Sequence, residues 1–269
     1  MADEAKPTPR EQAWVAGSGW RPRRLSEADL RERILGTAVT MLTESGGLSV
    51  SMAHLNMEEL IRIADVPRSS VYRAWGSKEA FYVDLMERMV EPGPEGSYAD
   101  EVAAAAQDVL EQHRDRLVTP ADRRAVFCEV VRCAVTRSFH GVARSLAWRS
   151  FTALAVAAPT LGAEDRERIL AALDRSHSRI IARVSDVYTE VLSRVGMRMR
   201  DGFDIRTFML TGSSAMDGLI RLGITDPHTV ASRTVRPGLD GEPVEWELPA
   251  TAFLAIADAM VELDPEFRQ

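Results

Sequence analysis

Cysteine is scarce in the 269-residue sequence: only Cys128 and Cys133 occur. Five positions apart in a segment that reads as helix, they fall on different faces. That excludes an intrahelical disulfide or a paired metal site, and a reduced, cytoplasmic setting is expected. Long apolar runs are also missing. The longest, such as Leu-Ala-Val-Ala-Ala-Pro at 154–159, fall far short of the roughly 20 residues a spanning helix needs, so no membrane partner is expected. The opening stretch, MADEAKPTPREQ, is acidic without an apolar core and does not read as a secretion signal. His54, His113, His140 and His228 are scattered without ligand spacing, so neither a metal nor another cofactor is expected. Nucleophile elbow, phosphate-cradling glycine loop and HExxH pattern are all absent, which speaks against an enzyme. The Gly-Ser-Gly-Trp at 17–20 follows no strand and carries no such meaning. Strand signals are nearly absent, and internal repeats and low-complexity tracts are lacking, which points to an all-α fold.

What is present is the composition of an ordinary globular protein, 45% hydrophobic and 27% charged, long enough for one large domain or two modest ones. The net charge of −7 argues weakly against a protein coated in nucleic acid, but distribution matters more than the total. Basic residues gather at Arg21, Arg23 and Arg24 and again at Arg68, Arg73 and Lys78, while the acidic excess lies mainly after residue 90. A basic footprint on one face remains open.

Residues 1–25 are rich in Pro, Gly and charge without periodicity and read as a mobile arm. Ser26 then caps a helix bearing Leu30, Ile34, Ala38, Met41 and Leu42, which Gly46-Gly47 stops. Asn56 caps a short helix with Leu60, Ile61 and Ala64, and Asp65-Val66-Pro67 turns the chain into a second short helix, 67–75. Ser77 caps a fourth, carrying Phe81, Leu85 and Met89, and Pro92-Gly93-Pro94 ends it. These boundaries predict an arm (1–25), an amino-terminal domain (26–91) and a helical carboxy-terminal domain (92–269).

The stretch Val66–Lys78, VPRSSVYRAWGSK, has too many polar groups for a core helix and too much aromatic area for a solvated one. Two short helices joined by a tight turn, the second polar and basic, form a helix-turn-helix, and a DNA groove accepts both kinds of side chain. Val66, Val71 and Trp75 face inward. Arg68, Ser69, Ser70, Tyr72 and Arg73 are left outward. The short hydroxyls allow close approach to base edges, Arg68 can reach a guanine bidentately, and Tyr72, Arg73 and Lys78 suit phosphate oxygens. Ser77 and the amides of its helix can hold one more phosphate. Arg21, Arg23 and Arg24 can follow a groove as an arm or form a solvated tail.

From Ser26 to Met89 the sequence resembles the TetR family of regulators, through RERILGTAVTMLTESGG, MEELIRIADVPRSSVYRAWGSKEAF and the spacing of Tyr72, Trp75 and Lys78. The resemblance implies an all-helical homodimer. Its amino-terminal helices would bind a double-stranded operator, and its divergent carboxy-terminal domain would dimerise and hold a small-molecule effector. It places Arg68, Ser69, Ser70, Tyr72, Arg73 and Lys78 at DNA-facing positions. Two departures stand out. Asp65 occupies the turn position where the family has glycine, and the link from Gly46 to Asn56 is longer than short connections usually are.

In the carboxy-terminal half, helices are predicted over 99–117, 120–137, 139–157, 164–195, 204–222 and 250–262. An irregular connection over 225–249 holds PVEWEL, a candidate hairpin arm. The longest helix carries a stripe of Leu170, Leu173, His177, Ile180, Val184, Val187, Val191 and Val195. Candidate effector-pocket residues are Phe127, Val131, Trp148, Phe151, His177, Ile180 and Val184, with His177 as one polar group in an apolar cavity. Phe208, Gly212, Ala215, Met216 and Leu219, with Phe253, Ala257 and Met260, form a candidate dimer interface between two helices of each subunit. The alternatives are a DNA binder without an effector, and a helical ligand-binding protein that uses its helix-turn-helix for packing.

Overall fold

The computed structural model describes residues 25–44, 56–90 and 98–268. The arginine arm, including Arg24, and most of the long link before Asn56 lie outside these residues. The chain is all-α, with four short strands among the described residues.

Helix α1 (Glu27–Glu44) starts where the Asp29 amide donates to Ser26 Oγ at 3.1 Å. Leu30, Ile34, Ala38 and Leu42 recur every four residues along its buried side. In α2 (Met57–Ala64) the Asn56 side chain accepts from the amides of Glu58 and Glu59, and Leu60, Ile61 and Ala64 turn inward. Asp65 then takes a left-handed conformation, φ 51° and ψ 56°. A short polar side chain tolerates that geometry better than most, so the turn forms without glycine. Helix α3 (Arg68–Trp75) follows, and Gly76 at φ 64° ends it. Helix α4 (Lys78–Val90) begins with the Ala80 amide on Ser77 Oγ at 3.1 Å. One apolar cluster joins all four helices, with Ile34, Leu60, Phe81 and Leu85 fully enclosed. Burying each such side chain contributes about 1.5–3 kcal/mol.

The remainder is a helical body. It runs through α5 (Tyr98–Gln112), a 3-10 turn at Arg114–Arg116, α6 (Pro120–Arg144), α7 (Leu146–Ala157) and α8 (Ala163–Arg194). Strand β1 (Met197–Met199), α9 (Ile205–Thr225), α10 (Pro227–Val230), β2 (Arg233–Pro237) and β3 (Pro243–Glu247) follow. Helix α11 (Leu248–Met260) and β4 (Val261–Leu263) come last. Phe127, Val130, Val131, Ile181, Phe208 and Phe253 belong to its main core.

Several expectations change. The break between α6 and α7 lies at Ser145, not near residue 138, because Phe139 continues the buried side of α6 and Ser145 Oγ caps α7 through the Trp148 amide at 3.3 Å. The connection after α9 is less irregular than expected: α10 precedes the hairpin arm anticipated at PVEWEL, which forms as the antiparallel β2–β3 pair with Trp246 buried. The β1–β4 pair, Met197 against Leu263 and Met199 against Val261, has no sequence signal because three residues are too few to alternate recognisably. On α8 the buried side is Ile169, Ala172, Leu173 and Ser176, then Ile181, Val184 and Tyr188. Leu170 and His177 are exposed. Both lie one position off this seam, and an apolar side chain does not by itself fix which face is covered.

A third cluster lies where α4 meets the body. Val83 and Val90 pack on Leu154, Ala158, Ile169, Ala172 and Leu173, with Met86 and Phe151 alongside. The buried Ser176 hydroxyl donates to the Val90 carbonyl at 2.7 Å. The last helix of the amino-terminal group is therefore packed into the body along its length.

Candidate functional site

Helix α3 buries only Val71 and Trp75, one turn apart. Trp75 lies edge-on to Phe81 with ring centroids 5.2 Å apart and donates from Nε1 to Asp84 Oδ2 at 2.8 Å. The underside is thus pinned, and its register leaves the opposite face to solvent. Arg68, Ser69, Tyr72 and Arg73 are exposed there, and Ser70 is half-buried between the two faces. Ser77 and Lys78 are exposed at the helix exit. The Lys78 ammonium sits 5.2 Å from the Tyr82 ring centre, and Tyr82 raises its pKa, so it remains a cation at neutral pH. Ser77 commits its hydroxyl oxygen to capping α4.

Glu58, which had no role in the sequence reading, organises this face. Its Oε1 accepts from Arg68 Nη2 at 2.9 Å and from the Tyr72 hydroxyl at 3.2 Å, while the Arg68 guanidinium lies 5.4 Å from the Tyr72 ring centre. A carboxylate therefore stands among the cations of the outward surface and holds two of its long side chains in one arrangement. The missing signal was spatial: Glu58 is 10 residues from Arg68 and meets it only because α2 and α3 cross.

Asp84 on α4 is a second junction that the sequence did not disclose. Besides Trp75, its carboxylate accepts from Arg31 Nη1 on α1 at 2.7 Å and from Arg168 Nη2 on α8 at 2.8 Å. Arg31 also donates to the Ala74 carbonyl near the end of α3, and Arg168 also reaches Glu87 Oε2 at 3.0 Å. One carboxylate thus ties the end of α3 to α1 and to the body. Hydrogen bonds to charged groups contribute about 1.5–3 kcal/mol each in favourable surroundings, more than neutral ones.

The body holds a partly open cavity of about 300 Å³ between α6, α7, α8 and α9. Trp148, Phe151, His177, Ile180 and Val184 line it as expected, but Phe127 and Val131 do not. Those two are completely enclosed in the main core on another side of α6. His177 is exposed, 6.1 Å from the Phe151 ring centre. It therefore lies at the cavity's margin and is not a polar group sealed within. The lining also includes Tyr188, Asp217 and Phe253, which the sequence did not single out for this role. Trp148 Nε1 donates to Asp217 Oδ1 at 2.8 Å.

The residues expected at a dimer interface divide. Phe208, Gly212, Phe253 and Ala257 are buried within the subunit. Phe208 and Phe253 meet at a tilt with ring centroids 5.2 Å apart, and a Cβ on Gly212 would come within 2.5 Å of the Phe253 ring. These four join α9 to α11 of the same chain and cannot offer surface to a partner. Close approach of two helices looks alike in sequence whether they belong to one subunit or two. Ala215, Met216, Leu219 and Met260 remain partly exposed, although Met216 also lines the cavity.

Both cysteines are free thiols. Burial pushes Cys133 up to about 11, with Glu129 adding to the effect. Among the described residues no group of three or more His, Cys, Asp or Glu could hold a metal ion. No described helix is long and apolar enough to cross a membrane.

No family model matches the chain. Among curated proteins it is similar to the helix-turn-helix transcriptional repressor NemR of Escherichia coli K12, 32% identical over 98 residues. The same values hold for NemR of Escherichia coli O6:H1. Over that stretch the chain resembles a helix-turn-helix transcriptional repressor. The matched stretch is 32% of this chain and 46% of the repressor, so the chain spans about half the length of the curated relatives it matches. Among solved structures, reduced Escherichia coli NemR aligns with 87% of this chain and 98% of that chain, at 16% identity and a TM-score of 0.45. A putative TetR-family transcriptional regulator from Rhodococcus sp. aligns over the same shares at 14% identity and a TM-score of 0.39. Neither score establishes an equivalent overall fold.

Proposed function

We propose that the chain is a DNA-binding transcriptional repressor of the TetR type, not an enzyme, that holds a palindromic operator as a homodimer and releases it on binding a small molecule. The observation that carries this reading is α3: two inward anchors fix its underside, and Arg68, Ser69, Tyr72 and Arg73 stand exposed on the other face. Arg68 and the serines would meet base edges in the major groove. Tyr72, Arg73 and Lys78 would meet phosphates. Glu58 would release Arg68 and Tyr72 as phosphate and base acceptors replace its carboxylate.

Residues 26–91 form the reading domain in this account and 92–269 the effector and dimerisation domain. The outer faces of α9 and α11 would supply the dimer contact through Ala215, Leu219 and Met260. Ser214, Gly218, Ala255 and Ala259 are exposed beside them. A ligand in the cavity presses on Phe151 and Ser176, which also touch the seam with α4. Moving α4 shifts Asp84, and with it Trp75 and the end of α3. Dimeric readers need both heads at a fixed separation, so a modest pivot releases the site. The ligand can drive that pivot only by its difference in affinity for the two states.

The test is binding to sheared genomic DNA at low salt, followed by fluorescence anisotropy. The wild type should bind, and Ser69→Glu should not, with an unchanged circular dichroism melt. No binding by the wild type, or equal binding by the variant, contradicts the proposal. In the first case the alternative in which the helix-turn-helix serves only for packing gains support.

A further inference from the structure

The cavity lining is mainly apolar and aromatic, with Ser138, Ser145, Ser176, Ser213 and His177 as neutral or titratable polar groups and one carboxylate. Asp217 is half-buried on α9 and is the only Asp, Glu, Lys or Arg among the lining residues. Among the described residues Asp217 makes no ion pair, and its one hydrogen-bond partner is the Trp148 indole. Arg221, one turn further along α9, points to solvent, and His177 lies exposed at the margin. A half-buried carboxylate without a paired cation leaves a negative charge that an incoming cation can match. Aromatic rings are what a positively charged organic group can exploit, since their faces attract cations. Trp148 stands beside the carboxylate, and Phe151 and the Tyr188–Phe253 pair, with centroids 5.3 Å apart, line the same space.

We infer that the cavity takes a lipophilic organic cation, an amine or quaternary ammonium, with its charged head beside Asp217 and Trp148 and its apolar body among the remaining rings. The inference deepens the effector reading above and names the ligand's chemical class. A purely structural bond from Trp148 would be served equally by a neutral amide oxygen at position 217. A counter-charge for a ligand would not, and the two roles separate on that point.

The probes are three phenylbutyl compounds: one ending in trimethylammonium, one in its neutral tert-butyl isostere and one in carboxylate. Titration calorimetry on the full chain measures each without DNA. The ammonium compound should bind at least about tenfold more tightly than its neutral isostere, and the carboxylate least of all. Asp217→Asn should erase the preference for the cation while leaving the neutral compound's affinity within about twofold. Asp217→Glu should restore part of that preference, and thermal melts confirm that both variants fold. Equal or tighter binding of the neutral or anionic compound overturns the inference. So does a cation preference that survives in Asp217→Asn, or failure of all three compounds to bind. Because DNA is absent, the result is independent of the regulatory reading. Cation binding without any effect on a DNA complex would leave the site standing and remove the effector role.

Discussion

The short helix α3 and the long helix α8 bury similar shares of their residues but are held in place differently. The first has eight residues, two buried and most of the rest exposed. The second has 32 residues and ten buried positions spread along its length. A helix as short as α3 is marginal alone and is buried only at Val71 and Trp75, which leaves most of its outward side open to a partner. Helix α8 is held at ten buried positions spread along the body, and what it offers a ligand is the part of one face that neighbouring helices leave uncovered.

Substitutions that act on one region and spare the other sharpen this contrast. The largest effect is expected from Phe81→Ala, which empties the centre of the amino-terminal cluster. It should cost about 3–5 kcal/mol in urea unfolding and abolish DNA binding. A loss under 1 kcal/mol would mean that the cluster is not the support of α3. In the body, Gly212→Ala forces a methyl against Phe253 and should cost about 1–3 kcal/mol, read by the same denaturation. Neutral behaviour would show that α9 and α11 can separate freely.

Asp84→Asn acts between the two regions. It leaves Arg31 and Arg168 with a neutral acceptor and should cost about 1.5–3 kcal/mol. Ligand affinity measured without DNA should stay within about twofold, while the ligand's effect on DNA affinity shrinks. Equal responses in wild type and variant would break the proposed connection. Arg68→Ala should lose about 1–3 kcal/mol of discrimination at one or two base pairs, measured by competition with single-base variants of a bound site. The smallest change belongs to Lys78→Ala: all sequences weaken alike, and the slope of log affinity against log salt falls by about one. A shift in sequence preference there would reverse the roles assigned to Arg68 and Lys78.

The same contrast explains what could be read in advance. Caps at Ser26, Asn56 and Ser77, the Asp65 turn and the inward set around Leu60 and Trp75 are local features, each defined within a few residues, and they were legible. The helices of the body were legible through their period, although Ser145, not the neighbourhood of residue 138, divides two of them. What escaped depends on distant residues meeting. Glu58 under Arg68, Asp84 between Arg31 and Arg168, and Asp217 beside Trp148 have no mark in the order of residues. Phe127 and His177 were placed in the cavity by residue type, yet the first turns to the core and the second to the margin. Phe208 and Phe253 carry the small-and-aromatic pattern of a helix contact that turned out to lie within one subunit.

The central claim is that the outward side of α3 lies against base pairs, twice, in a symmetric pair of chains. Selection of bound fragments from random duplex DNA by the wild-type protein tests it directly. The account predicts a two-fold symmetric sequence whose half-sites are centred about one helical turn, roughly 10 base pairs, or a multiple of it apart. Recovery of fragments with neither a shared sequence nor symmetry, or of none above background at low salt, would contradict it.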